Sequence, residues 1–151
     1  MRENTKQPWE EKVIDLWKTR DNGLLGEVGE VLAWKYLWGK GFVVWPFWNV
    51  VHGHLFSREL TKKQLDYLEG YRSMASAAEK RTFDLVGILR SNRQAYLVEV
   101  KTTRSERYRY DSRKFPGSQQ RLEAKSLGFK LLLVVVRLID NWRFSIACKE
   151  L

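Results

Sequence analysis

Residues Leu131 to Val136 read Leu-Leu-Leu-Val-Val-Val, six aliphatic side chains with no polar residue between them. A segment without alternation must bury both of its faces, and six residues is the length of a strand rather than of a helix. Such a strand lies inside a sheet covered by helices on either side. It follows a helix predicted over Ser118–Leu127 and closed by Gly128. A strand entered through a crossover helix runs parallel to its neighbour, since an antiparallel partner needs only a hairpin. The run is far short of the roughly 20 apolar residues that span a bilayer.

The neighbour lies upstream. Thr82–Leu89 and Ala95–Thr102 are β-rich runs separated by Arg90-Ser91-Asn92-Arg93-Gln94, the pattern of an antiparallel hairpin with a five-residue loop. Before them, Leu24–Lys40 reads as a helix, with Asp21 or Asn22 to cap it and Gly41 to stop it. At 100° per residue Leu25, Val28, Leu32 and Tyr36 form its core-facing stripe with Ala33 beside them, and Glu27, Glu30, Trp34 and Trp38 gather on a second face. Phe42–Trp45 reads as a strand ended by Pro46, Ser57–Lys80 as helical despite Gly70, and Trp142–Cys148 as a last strand after the Asp140-Asn141 turn. The expected fold is one α/β domain over residues 1–151, a central mixed sheet flanked by helices, with residues 46–80 inserted between the first and second strands.

Hydrophobic types make up 44% of the 151 residues, enough for a core and too much for a disordered chain. The 27 Lys and Arg against 18 Asp and Glu give a net charge of +9, which points to a polyanionic partner and first of all to nucleic acid. A single cysteine, Cys148, excludes an internal disulfide and a cysteine zinc site, and it is expected as a small buried hydrophobe. The N-terminus has no apolar stretch behind its charges, so no secretory signal is read there and a cytoplasmic location is expected.

In the second strand of the hairpin Glu99 and Lys101 share a face opposite Tyr96, Val98 and Val100. Asp84 lies among Phe83, Leu85 and Val86, where a buried strand has no structural use for a carboxylate. A divalent cation held by Asp84 and Glu99 would compensate the charge, and their hard oxygens suit Mg²⁺ or Mn²⁺ better than zinc.

Asp84-Leu85-Val86-Gly87 followed by Tyr96-Leu97-Val98-Glu99-Val100-Lys101-Thr102 resembles the PD-(D/E)XK nuclease superfamily. Glu30 in Gly29-Glu30-Val31-Leu32, Gly41-Phe42 and the late Asn141-Trp142-Arg143-Phe144 extend the likeness, which is greatest to archaeal Holliday-junction resolvases. The resemblance implies a restriction-endonuclease-like core of αβββαβ order. It also implies a Mg²⁺-dependent, structure-selective DNA endonuclease that acts on branched DNA as a homodimer. Its catalytic set would be Glu30, Asp84, Glu99 and Lys101. Asp84 and Glu99 would hold the metal with Glu30 completing the shell, and Lys101 would orient or deprotonate the attacking water and stabilise developing charge. Glu27, one turn earlier, is the weaker alternative to Glu30. Residues 46–80 and Phe83, which stands where the superfamily's name has a proline, depart from the pattern.

Between Lys101 and Lys125 eight basic residues face three acidic ones, and Tyr108, Tyr110 and Phe115 are interleaved. Arg104, Arg107, Arg109, Arg113 and Lys114 are the phosphate-binding candidates there, with a solvated loop as the alternative. Gln120 could also reach the cleft, as polar residues of this helix do in the superfamily. Trp34 and Trp38 could stack on nucleic acid or form a dimer contact, although burial beneath the 57–80 insertion or the N-terminal helix is the favoured expectation. His52 and His54 read as loop residues. The competing function is a nuclease-fold module that binds DNA or assembles with a partner enzyme without cutting.

Overall fold

The computed structural model describes residues 11–20, 22–73, 83–106 and 118–151. In chain order they form α1 (Asn22–Gly39), β1 (Phe42–Pro46), α2 (Phe47–Gly53), α3 (Lys62–Glu69), β2 (Leu85–Leu89), β3 (Ala95–Thr103), α4 (Ser118–Ser126), β4 (Lys130–Leu138) and β5 (Phe144–Glu150). The five strands make an open mixed sheet in sequential order, β1-β2-β3-β4-β5. All neighbours pair antiparallel except β3 and β4, which are parallel, as the aliphatic run requires. Leu131–Val134 and Val136 are buried in the centre of β4. In the parallel register Leu133 lies opposite Glu99 and Val135 opposite Lys101.

Each face of the sheet carries its own core. On the α1 side Ala33 and Leu37 pack on Val44, Leu85, Val98, Val100, Val134 and Val136. On the other side the insertion and α4 bring Phe47, Val50, Leu68, Tyr71, Ala124 and Phe129 against Val86, Ile88, Leu97 and Leu131. Among the described residues, no helix is long and apolar enough to cross a membrane.

The α1 stripe differs from its expected position. The buried row is Leu25, Gly29, Ala33 and Leu37, at strict four-residue spacing, whereas Val28, Leu32 and Tyr36 are half-buried to one side. Small residues decide this. A Cβ at Gly29 would fall on the Thr102 side chain, so the glycine lets the helix settle closer to β3 than any larger residue would allow. Hydrophobic periodicity alone selects the bulky row and misses a contact made by the absence of a side chain. Gly41, at φ 94°, then makes the left-handed turn that returns the chain from α1 into β1.

Of the single helix expected over Ser57–Lys80 the described residues form only the short α3, and a separate short helix, α2, precedes it. α2 starts directly after Pro46 and ends at His54, in the left-handed region at φ 53°. Capping by Thr61 rather than Ser57 starts α3: the Thr61 side chain accepts the Gln64 N–H at 3.2 Å, and Gln64 Oε1 accepts the Thr61 N–H at 2.9 Å. Gly70 closes α3, and residues 74–80 of the expected helix lie outside the described residues. The last strand also corrects an expectation, because β5 is an edge strand with an exposed second half and Cys148 is exposed on it.

Candidate functional site

β2 begins at Leu85, so Asp84 stands at the foot of the hairpin instead of within a strand. Its backbone N–H donates to the Val98 carbonyl at 2.9 Å, and its Oδ2 accepts the Val100 N–H at 2.7 Å. Asp84 is thereby tied to both residues that flank Glu99. Its own carbonyl accepts the Phe47 N–H at 2.9 Å, which fastens the start of α2 to the same point.

Burial pushes the Asp84 carboxyl up to about 6, against the opposing pull of the Val100 hydrogen bond and of Lys101. Glu30, on α1, is pushed up to about 7, first by burial and then by the negative charges of Asp84 and Glu27. Glu27 itself is exposed on α1. Glu99 is 0% exposed, and the Lys101 Nζ lies 3.0 Å from its Oε1. The lysine remains 35% exposed, so a cation that reaches solvent is anchored to a carboxylate that does not.

Strand alternation puts Val98 and Val100 in the core under α1, and therefore Glu99 and Lys101 on the opposite face. Glu30 approaches Asp84 from the α1 side, whereas Glu99 on the opposite face pairs with Lys101. Among the described residues, no group of three or more His, Cys, Asp or Glu side chains converges in metal-holding geometry. The donor chemistry nevertheless fits a hard cation. Asp84 and Glu30 are oxygen donors held near each other in a partly desolvated place, each with its acidity weakened, and a bound cation would reverse that effect.

The other candidates divide sharply. Arg104 turns inward, its Nη2 donating to the carbonyls of Leu16 at 3.1 Å and Thr19 at 2.6 Å, and so straps the segment before α1 onto the end of β3. Arg107, Arg109, Arg113 and Lys114 lie outside the described residues. Gln120 Nε2 donates to the Tyr71 hydroxyl at 3.4 Å, joining α4 to the insertion. Neither Trp34 nor Trp38 is fully buried: Trp34 is half-buried against Trp45, with ring centroids 5.4 Å apart, and Trp38 is 38% exposed. His52 stacks on Trp48 at 5.4 Å and 17°.

Sequence reasoning missed three parts of this site. These are the Val100 amide that holds Asp84, the Phe47 amide on the Asp84 carbonyl, and Thr102, whose close approach to Gly29 positions the helix turn bearing Glu30. The one legible signal was the glycine immediately before Glu30. No family model matches the chain, and no curated protein matches it significantly.

Proposed function

We propose that this protein is a metal-dependent endonuclease of the PD-(D/E)XK kind that hydrolyses phosphodiester bonds in DNA. The observation that carries the reading is that Asp84, bonded to Val100, and the Glu99–Lys101 pair share the foot of one hairpin, with Glu30 raised by burial and then by the charge of Asp84. An α1-β1-β2-β3-α4-β4 order with a parallel β3–β4 pair supports it, as does the +9 net charge. Asp84, Glu99 and Glu30 would hold Mg²⁺ or Mn²⁺. When bound, that ion supplies charge neutralisation at the phosphate and a water acidic enough to attack near neutral pH.

The chain's own residues have distinct tasks. Asp84 is oriented by the Val100 amide, so its free oxygen Oδ1 has a fixed direction. Glu99 holds Lys101 at the mouth of the site, and the ammonium can then place the attacking water or stabilise charge that develops on the phosphate. Structured DNA is the substrate class and a homodimer the acting form, by resemblance to the junction resolvases.

The 3.0 Å Glu99–Lys101 pair also favours a second reading. An ion pair that satisfies itself needs no metal, as expected of a module that binds DNA without cutting it. Incubation of labelled junction, flap, single-stranded and duplex DNA with and without Mg²⁺ separates the two. Cleavage that requires the metal and disappears in Glu99→Gln sustains the nuclease; binding of the panel with no product in any metal sustains the module.

A further inference from the structure

Val31, Trp34, Lys35 and Trp38 line an open groove of about 580 Å³ along the outer side of α1. Among the described residues its α1 wall consists of two ridges, each a pair of residues four apart and hence one above the other on the helix: Val31 with Lys35, and Trp34 with Trp38. The tryptophan ridge continues the line of Glu30. From Glu30 it is one turn, about 6 Å along the axis, to Trp34 and a second turn to Trp38. The near end of the groove meets Trp45, whose strand partner Val86 is two residues from Asp84. At the far end the Arg90 guanidinium stacks over the Trp38 ring, 5.2 Å from its centroid.

We infer that this groove takes an unpaired strand of nucleic acid, its bases stacking on Trp38 and Trp34 and its phosphates meeting Lys35 and Arg90, as the strand runs to or from the Glu30–Asp84 site. The inference rests on the nuclease reading for its direction but not for its chemistry. Among the described residues that line it Lys35 is a cation, and a second cation, Arg90, caps Trp38, so this face of the groove is complementary to a polyanion with flat apolar faces. A paired duplex keeps its base faces stacked on one another and cannot present them to a tryptophan ridge. The groove therefore selects unpaired strands, which supplies a specific basis for preferring branched or frayed DNA over plain duplex.

The test is binding measured by fluorescence anisotropy in EDTA, where no cleavage occurs, with a labelled oligothymidylate and a blunt duplex of equal length. Trp38→Ala should weaken the single strand by about fivefold to a hundredfold, the range of losing one base–aromatic stack, and the duplex by less than twofold. Trp38→Phe should retain most of the affinity. Trp142→Ala, which removes a tryptophan 91% exposed on the β4–β5 turn, should change neither. Thermal melts of each variant confirm that it is folded. Single-strand affinity within twofold of wild type in Trp38→Ala overturns the inference, as does an equal loss on both DNAs. A change in sedimentation with unchanged binding would assign the groove to a second copy of the chain. Wild-type protein that binds the single strand through Trp38 but cuts nothing in Mg²⁺ overturns the nuclease reading and leaves the groove standing; one that cuts duplex and ignores single strands overturns the groove alone.

Discussion

The foot of the β2–β3 hairpin and the insertion packed beside it are both buried, and both are fastened to Asp84, yet they are held in opposite ways. Among its described residues the insertion is held by aromatic packing and neutral hydrogen bonds. Phe47 packs edge-on against Tyr71 at 5.2 Å and Trp48 at 5.6 Å, Tyr67 lies 6.0 Å from Phe129, and the Tyr67 and Tyr71 hydroxyls bond each other at 3.2 Å. At the hairpin foot, burial works against the charges it encloses, and Asp84 and Glu30 are each driven toward their protonated forms. One region buries apolar and neutral groups and the other encloses carboxylates, with the first bracing the second through the Phe47–Asp84 hydrogen bond.

Substitution should separate the two regions cleanly. Glu99→Gln and Asp84→Asn should each lower cleavage by roughly a thousandfold or more, about 4 kcal/mol of barrier, while the melting temperature holds or rises in Asp84→Asn, where a charge disfavoured by burial is gone, and falls in Glu99→Gln, which breaks the pair with Lys101. Single-turnover rates and thermal melts together check this, and a variant that cuts normally would dissolve the contrast. Phe47→Ala should do the reverse in kind, lowering stability by about 3–5 kcal/mol through a core cavity, measured by urea denaturation.

Acidity should sharpen the same contrast. The folded Asp84 carboxyl sits at about 6 against an ordinary 3.8, so the native state holds its proton more tightly than the unfolded chain does. Stability of the metal-free protein therefore falls as pH rises from about 4 to about 7, by on the order of 2–3 kcal/mol from Asp84, with Glu30 adding in the same direction up to its value of about 7. Denaturation midpoints across that range should show the slope, and Asp84→Asn should flatten it. A smaller effect is expected from Gly29→Ala, which forces α1 off Thr102 and should cost about 1–3 kcal/mol by overpacking. Paired melts and cleavage assays would show activity falling more than stability, since the shifted turn carries Glu30.

Much of this architecture was legible because it rests on periodicity. The aliphatic run 131–136 implied a central strand with a parallel neighbour, and alternation along 95–102 placed Glu99 and Lys101 on one face; both follow from the pleat. The insertion was less legible, since a helix there depends on which hydroxyl caps it, and Thr61 with Gln64 prevails over Ser57 through a reciprocal bond that one-residue propensities do not weigh. Arg104 was read as a phosphate ligand from its charge, but its direction is set by two carbonyls some 85 residues away in the chain, which no local pattern encodes. The nearness of Glu30 to Asp84 depends on α1 lying close to β3 at Gly29, which no local pattern encodes.

The strictly sequential order of the sheet has a consequence for how the chain folds. β2 and β3 are joined by the short loop Arg90–Gln94 and pair without waiting for distant segments, whereas β4 must arrive through a crossover. Short-range pairing forms early because it closes the smallest loop. The hairpin carries Asp84 at its foot, bonded to Val98 and Val100 of its second strand, so this carboxylate is desolvated on the way up the folding barrier rather than after it. Protonating Asp84 should then act mainly on the refolding limb: stopped-flow traces at pH 5 should show faster refolding than at pH 7, with the unfolding rate nearly unchanged.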